Sequence, residues 1–179
     1  MLEVIVSRVL RVVLVIILIS GLLIAGCSTD SSSDDSAQAP QVGKLAPDFQ
    51  FQDVDGQYIF LSDLQGRPVL INFWASWCGP CIYEMPYLQQ VYEEWSGQGL
   101  VVLAINKGES LSTVKDFIQS GNFSFPVLLD INQYVALEYN AWNIPTTFFI
   151  DKDGVIQAIK IGRFLSKTEI EMMLSEIIP

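Results

Sequence analysis

Cys78 and Cys81, separated by Gly79-Pro80, follow the apolar run Val69-Leu70-Ile71-Asn72-Phe73-Trp74 and precede the segment Ile82 to Trp95. Two thiols at this spacing, delivered by a β-branched and aromatic run to the start of a helical pattern, point to thiol-disulfide exchange. The unsatisfied N–H groups and positive dipole end of a helix N-terminus favour a thiolate over a thiol, so Cys78 is expected to titrate below a free cysteine. Cys78, first and more exposed, is then the nucleophile and Cys81 the resolving thiol. Pro80 suits the first helical turn, where its missing N–H has no partner to lose. A structural zinc site needs four ligands, but the chain has no histidine and only one other cysteine, Cys27. The same lack of histidine argues against a copper chaperone. No metal or organic cofactor is expected; the redox group is the cysteine pair itself.

The rest of the chain must hold that pair. Its 179 residues, half of them hydrophobic, suffice for one domain with a sizeable core, and a net charge of −10 disfavours nucleic acid. Arg8 and Arg11 precede an apolar run from Val12 to Ala25 that ends in Ile24-Ala25-Gly26-Cys27-Ser28. This resembles a bacterial lipoprotein signal, and it implies cleavage after Gly26 and lipidation of Cys27. An uncleaved transmembrane anchor is the alternative, and either places the domain on the extracytoplasmic side of the cell membrane. The mature chain would carry 8 basic and 19 acidic residues, a net of −11. Residues 27–42, polar after the lipidated cysteine and without apolar periodicity, are expected to form a flexible tether. Residues 43–179 then form the folded domain.

Within that domain, Phe49 to Leu61 reads as a β-hairpin around Asp55-Gly56, followed by a turn at Ser62 to Gly66 and the strand Val69 to Trp74. Apolar residues at Ile82, Met85, Leu88, Val91, Tyr92 and Trp95 keep helical spacing, with Pro86 expected to kink the helix. Leu100 to Ile105 is a strand buried on both faces. A helix at Ser112 to Ser120, a strand at Val127 to Leu129, a helix at Gln133 to Tyr139 and strands at Thr146 to Ile150 and Val155 to Ile161 follow. Ser166-Lys167-Thr168-Glu169 is a capping box opening a last helix. The predicted fold class is α/β: a central mixed sheet flanked by helices, with an N-terminal β-hairpin extension.

Phe73 to Cys81 and Ile144-Pro145-Thr146-Thr147 resemble the two signatures of thioredoxin-like proteins. More narrowly, Gly43 to Phe49, Glu84-Met85-Pro86, Asn106 to Ser110 and Phe125 to Asp130 are similar to the ResA/TlpA group, membrane-tethered thiol-disulfide oxidoreductases associated with cytochrome c maturation. The resemblance implies the thioredoxin fold, a catalytic Cys78/Cys81 couple, a cis peptide bond before Pro145, and Ile144 offering its backbone to an extended substrate. It also implies that Glu84 is an active-site acid, one helical turn beyond Cys81 on the same face, where burial would raise its pKa. Cytosolic thioredoxins place a buried Asp six residues before the first cysteine; here that position is Asn72, which cannot titrate. Trp77 is expected to pack beside the sulfurs and Trp74 to be core. Lys107-Gly108-Glu109 reads only as a loop, near the site by family analogy.

Gly79-Pro80 matches reducing thioredoxins, whose potential is about −270 mV. The function expected is therefore a protein-disulfide reductase, fed by an integral membrane thiol donor and acting on client disulfides such as that of an apocytochrome c. The lipid anchor makes the membrane a further partner, and a monomer is expected. Two rivals stand beside it. A peroxiredoxin-like peroxidase fits Ala46 to Phe49 and Glu84 to Pro86, but Ala75 occupies the place of the threonine three residues before a peroxidatic cysteine. A non-enzymatic holdase would use the cysteines only to anchor a client.

Overall fold

The computed structural model describes residues 39–178; the expected signal segment, Cys27 and most of the tether lie outside them. A small hairpin comes first, with β1 (Gln50–Gln52) antiparallel to β2 (Tyr58–Phe60). A single 3-10 turn, Ser62–Leu64, leads to β3 (Val69–Trp74). There follow α1 (Gly79–Trp95), β4 (Val101–Lys107), α2 (Leu111–Gly121), β5 (Val127–Asp130), α3 (Tyr134–Glu138), β6 (Thr146–Ile150), β7 (Ile156–Ile161) and α4 (Lys167–Leu174). The five-stranded sheet runs β5-β4-β3-β6-β7. β3, β4 and β5 are parallel, and β6 and β7 are each antiparallel to the strand before them in that order. This is the thioredoxin fold.

All six residues of β3 are buried, and their alternation divides the core into two layers. Leu70 and Trp74 face α1 and α4, joining Met85, Leu88, Val91, Ile170 and Leu174. Val69, Ile71 and Phe73 face the other way, toward Phe49, Tyr139 and Phe148. Each such side chain contributes about 1.5–3 kcal/mol relative to exposure, which makes β3 the element whose register the molecule tolerates least.

The register brings the functional loops to one end of the sheet. Trp74 pairs with Asn106 near the end of β4, Lys107 pairs with Asp130 at the end of β5, and Phe73 pairs with Thr146, which starts β6 and pairs in turn with Ile161, which ends β7. The opposite end receives the incoming chain: Gly43 N donates to Ile156 O at 2.8 Å, Ile156 N to Lys44 O at 2.9 Å, and Ala46 N to Gly154 O at 2.9 Å. Ile156 lies beside Ile150, which pairs with Val69 at the start of β3.

α1 runs through Pro86 as one helix, with Pro86 exposed. One local expectation is modified. The capping box at α4 is half formed: Ser166 Oγ accepts from Glu169 N at 3.2 Å, but the Glu169 carboxylate takes Leu165 N at 2.8 Å and Lys160 Nζ at 2.7 Å instead of the N-cap amide. Lys160 reaches it from β7 and offers a charged partner in place of a neutral one.

Candidate active site

Cys78 is the N-cap of α1, in extended backbone conformation, and Pro80 stands in the first turn. Its sulfur is bonded to that of Cys81 at 2.07 Å, and the Cys81 amide points at Cys78 Sγ at 3.2 Å. Cys78 is 5 % exposed and Cys81 fully buried. Only the first sulfur therefore offers itself to an incoming molecule.

The peptide bond before Pro145 is cis. The Ile144 carbonyl oxygen lies 3.6 Å from Cys78 Sγ, so the loop before β6 faces the disulfide with its backbone; Ile144 is half-buried and Pro145 buried. That loop is pinned on its far side by Gly162 N, which donates to Pro145 O at 2.8 Å.

Glu84 follows Cys81 by three residues and is completely buried on the face of α1 that meets the sheet. One carboxylate oxygen accepts from Asn72 Nδ2 at 2.8 Å and the other from Phe164 N at 2.8 Å. Asn72 Nδ2 also reaches Thr147 Oγ1 at 2.9 Å, across the β3–β6 pair. Removal from water raises the Glu84 pKa to about 7; the Phe164 and Asn72 hydrogen bonds and the Lys160 charge pull the other way without cancelling it. A carboxyl group poised near neutrality beside a dithiol has the acidity needed to take or give a proton at the resolving sulfur.

Trp77, on the loop from β3 to α1, is 70 % exposed and leaves most of its ring to solvent. Trp74 is fully buried and packs against Phe117 in a tilted pair, 5.0 Å between centroids. Cys27 lies outside the described residues. Among the described residues there is no cluster of three or more His, Cys, Asp or Glu side chains arranged to hold a metal ion.

Four further side chains belong to this end of the sheet. Glu109 accepts from Ser76 N and from Asn106 Nδ2, each at 2.7 Å, and from Ser76 Oγ. Lys107 Nζ donates to Ala141 O at 3.0 Å and Trp142 O at 3.3 Å. The signal in the sequence was positional: all four stand at or just beyond the C-terminal ends of the buried strands β3 and β4, where an α/β sheet places its site.

A family model, that of the AhpC/TSA family, matches residues 42–159. The thiol-disulfide oxidoreductase ResA of Geobacillus kaustophilus is 40 % identical over 141 residues, covering 79 % of this chain and 80 % of its own. ResA of Bacillus anthracis is 34 % identical over 173 residues, with 97 % and 98 % covered. Among solved structures, a thiol:disulfide interchange protein of the thioredoxin family from Chlorobium tepidum aligns with a TM-score of 0.67 at 28 % identity, covering 76 % of this chain and 97 % of its own. StoA from Bacillus subtilis aligns with a TM-score of 0.63 at 27 % identity, with 70 % and 95 % covered.

Proposed function

Because the chain belongs to the AhpC/TSA family and to the ResA-type thiol-disulfide oxidoreductases, we propose that it works as a reductase of client disulfides on the extracytoplasmic side of a bacterial membrane. The observation that carries the reading is the position of the Cys78–Cys81 disulfide, at the N-cap of α1 and against the Ile144-Pro145 backbone, with the neutral-poised Glu84 one turn behind it.

In the reduced protein the Cys78 thiolate attacks one sulfur of the client disulfide. A mixed disulfide forms and the client's other sulfur leaves as a thiolate. Cys81 then gives its proton to Glu84 and attacks Cys78 Sγ, which re-forms the Cys78–Cys81 bond and frees the client's second thiolate. Two electrons pass to the client; the proton now on Glu84 and one from solvent protonate its two thiolates. The Ile144 and Pro145 backbone aligns the client chain beside Cys78, and exposed Trp77 offers it an apolar ledge. A thiol-bearing integral membrane protein would return the protein to its dithiol form, and the haem-attachment disulfide of an apocytochrome c is the client we favour. Cleavage after Gly26, lipidation of Cys27 and a tether to residue 42 would hold a monomeric domain 43–179 at the membrane; Cys27→Ala should then abolish incorporation of labelled fatty acid into the protein.

The deciding experiment equilibrates the protein with glutathione and dithiothreitol. A potential at or below about −250 mV supports a reductase, and a value near about −120 mV would reverse the proposed direction. Cys81→Ser separates enzyme from holdase: it should accumulate a mixed disulfide with the client and lose turnover, and undiminished client protection without trapping would favour the holdase.

A further inference from the structure

Lys107 ends β4 and Gly108 and Glu109 follow it toward α2, yet the Lys107 and Glu109 side chains reach the two loops that bracket the disulfide. Glu109 grips the backbone and side chain of Ser76, two residues before Cys78. Lys107 grips the carbonyls of Ala141 and Trp142, just ahead of Ile144, whose own carbonyl faces Cys78 Sγ. Gly108 makes this divergence possible. Its φ of +78° turns the chain sharply, its amide is held by Asp130 O at 2.9 Å, and a Cβ there would stand 3.1 Å from the Gln133 amide.

We propose that Lys107 and Glu109 are positioning residues for the exchange: a strap that ties the Cys78 loop to the Pro145 loop and sets the reduction potential through two opposed charges, one bound to each of these loops. The proposal rests on reading Cys78 and Cys81 as the redox couple. The Glu109 carboxylate, on the Cys78 loop, makes a thiolate there more costly and so favours the disulfide. The Lys107 ammonium, on the Pro145 loop, eases the same negative charge and favours the dithiol. A tether without electrostatic consequence would treat the two residues alike. Opposed charges cannot.

The test is the equilibrium constant with glutathione for the wild type, Glu109→Gln, Lys107→Met and the double variant. Gln keeps an oxygen for the Ser76 amide while removing the charge. Glu109→Gln should shift the equilibrium toward the dithiol and Lys107→Met toward the disulfide, each by about three- to tenfold, tenfold being about 30 mV. The double variant should return near the wild type. Shifts in the same direction, or none beyond about 1.5-fold, would overturn the proposal. Should Glu109→Gln fail to fold, Lys107→Met decides alone, because its direction is the one that loosening the loops does not dictate. If the wild type shows no dithiol-disulfide equilibrium at all, the redox reading has failed instead.

Discussion

Glu84 accepts two hydrogen bonds and is still pushed up to about 7, because complete burial outweighs both donors and the Lys160 charge. In the unfolded chain it titrates near 4.5, so between these values the folded protein keeps a proton that the unfolded chain has lost. The stabilisation this represents is full below about 4.5 and is lost as the pH rises through about 7, amounting to about 3 kcal/mol. Glu84→Gln, neutral throughout, should flatten that slope: in urea unfolding of the oxidised protein, the wild type should lose more stability than the variant between about pH 5 and about pH 8, by up to about 3 kcal/mol. Equal slopes would mean that the carboxyl group titrates at its ordinary value. The cysteines were legible in the sequence because their two-residue gap announces itself locally, and Glu84 was reached through the family resemblance, its one-turn spacing from Cys81 agreeing with it. Glu84's partners were not, since Asn72 and Phe164 stand 12 and 80 residues away and only the assembled sheet brings them together. The outward turn of Trp77 was not legible either: adjacency to Cys78 in the chain says nothing about which way a loop side chain turns.

At the scale of elements, strands carried the clearest signal. Val69–Trp74 and Thr146–Ile150 fall where the β-branched and aromatic runs place them, every residue of both strands being buried. Helix starts were less certain where the cap had another duty: α1 begins at Gly79, capped by the same Cys78 that forms the disulfide. α4 depends on its cap more plainly. Ile170 and Leu174 are buried in the layer they share with α1, and Ser166 Oγ holds the first turn through Glu169 N. Ser166→Ala should therefore lower the unfolding free energy by about 1 kcal/mol, and Ser166→Thr should recover most of it. A loss confined to helix fraying, with no change in the urea midpoint, would show that α4 does not share the cooperative core.

Across the whole molecule, charge and polarity matter more than any one contact. A net charge of −10 creates a field that draws cations and repels anions over a distance set by salt. Reduction of a cationic synthetic peptide disulfide should slow several-fold between about 20 mM and about 300 mM salt, while an anionic one should accelerate; identical salt responses would place the encounter outside the reach of that field. Among the described residues no helix is long and apolar enough to cross a membrane. The domain is nevertheless polar from end to end: residues 43–46 join the sheet where β3 begins, and the sulfurs follow where β3 stops, roughly 17 Å away. Mechanically, this makes the attachment end sacrificial. A pull on the chain ahead of Gly43 loads the hydrogen bonds to Ile156 and Gly154 first, and they can peel one after another while the strand that carries Cys78 bears no force.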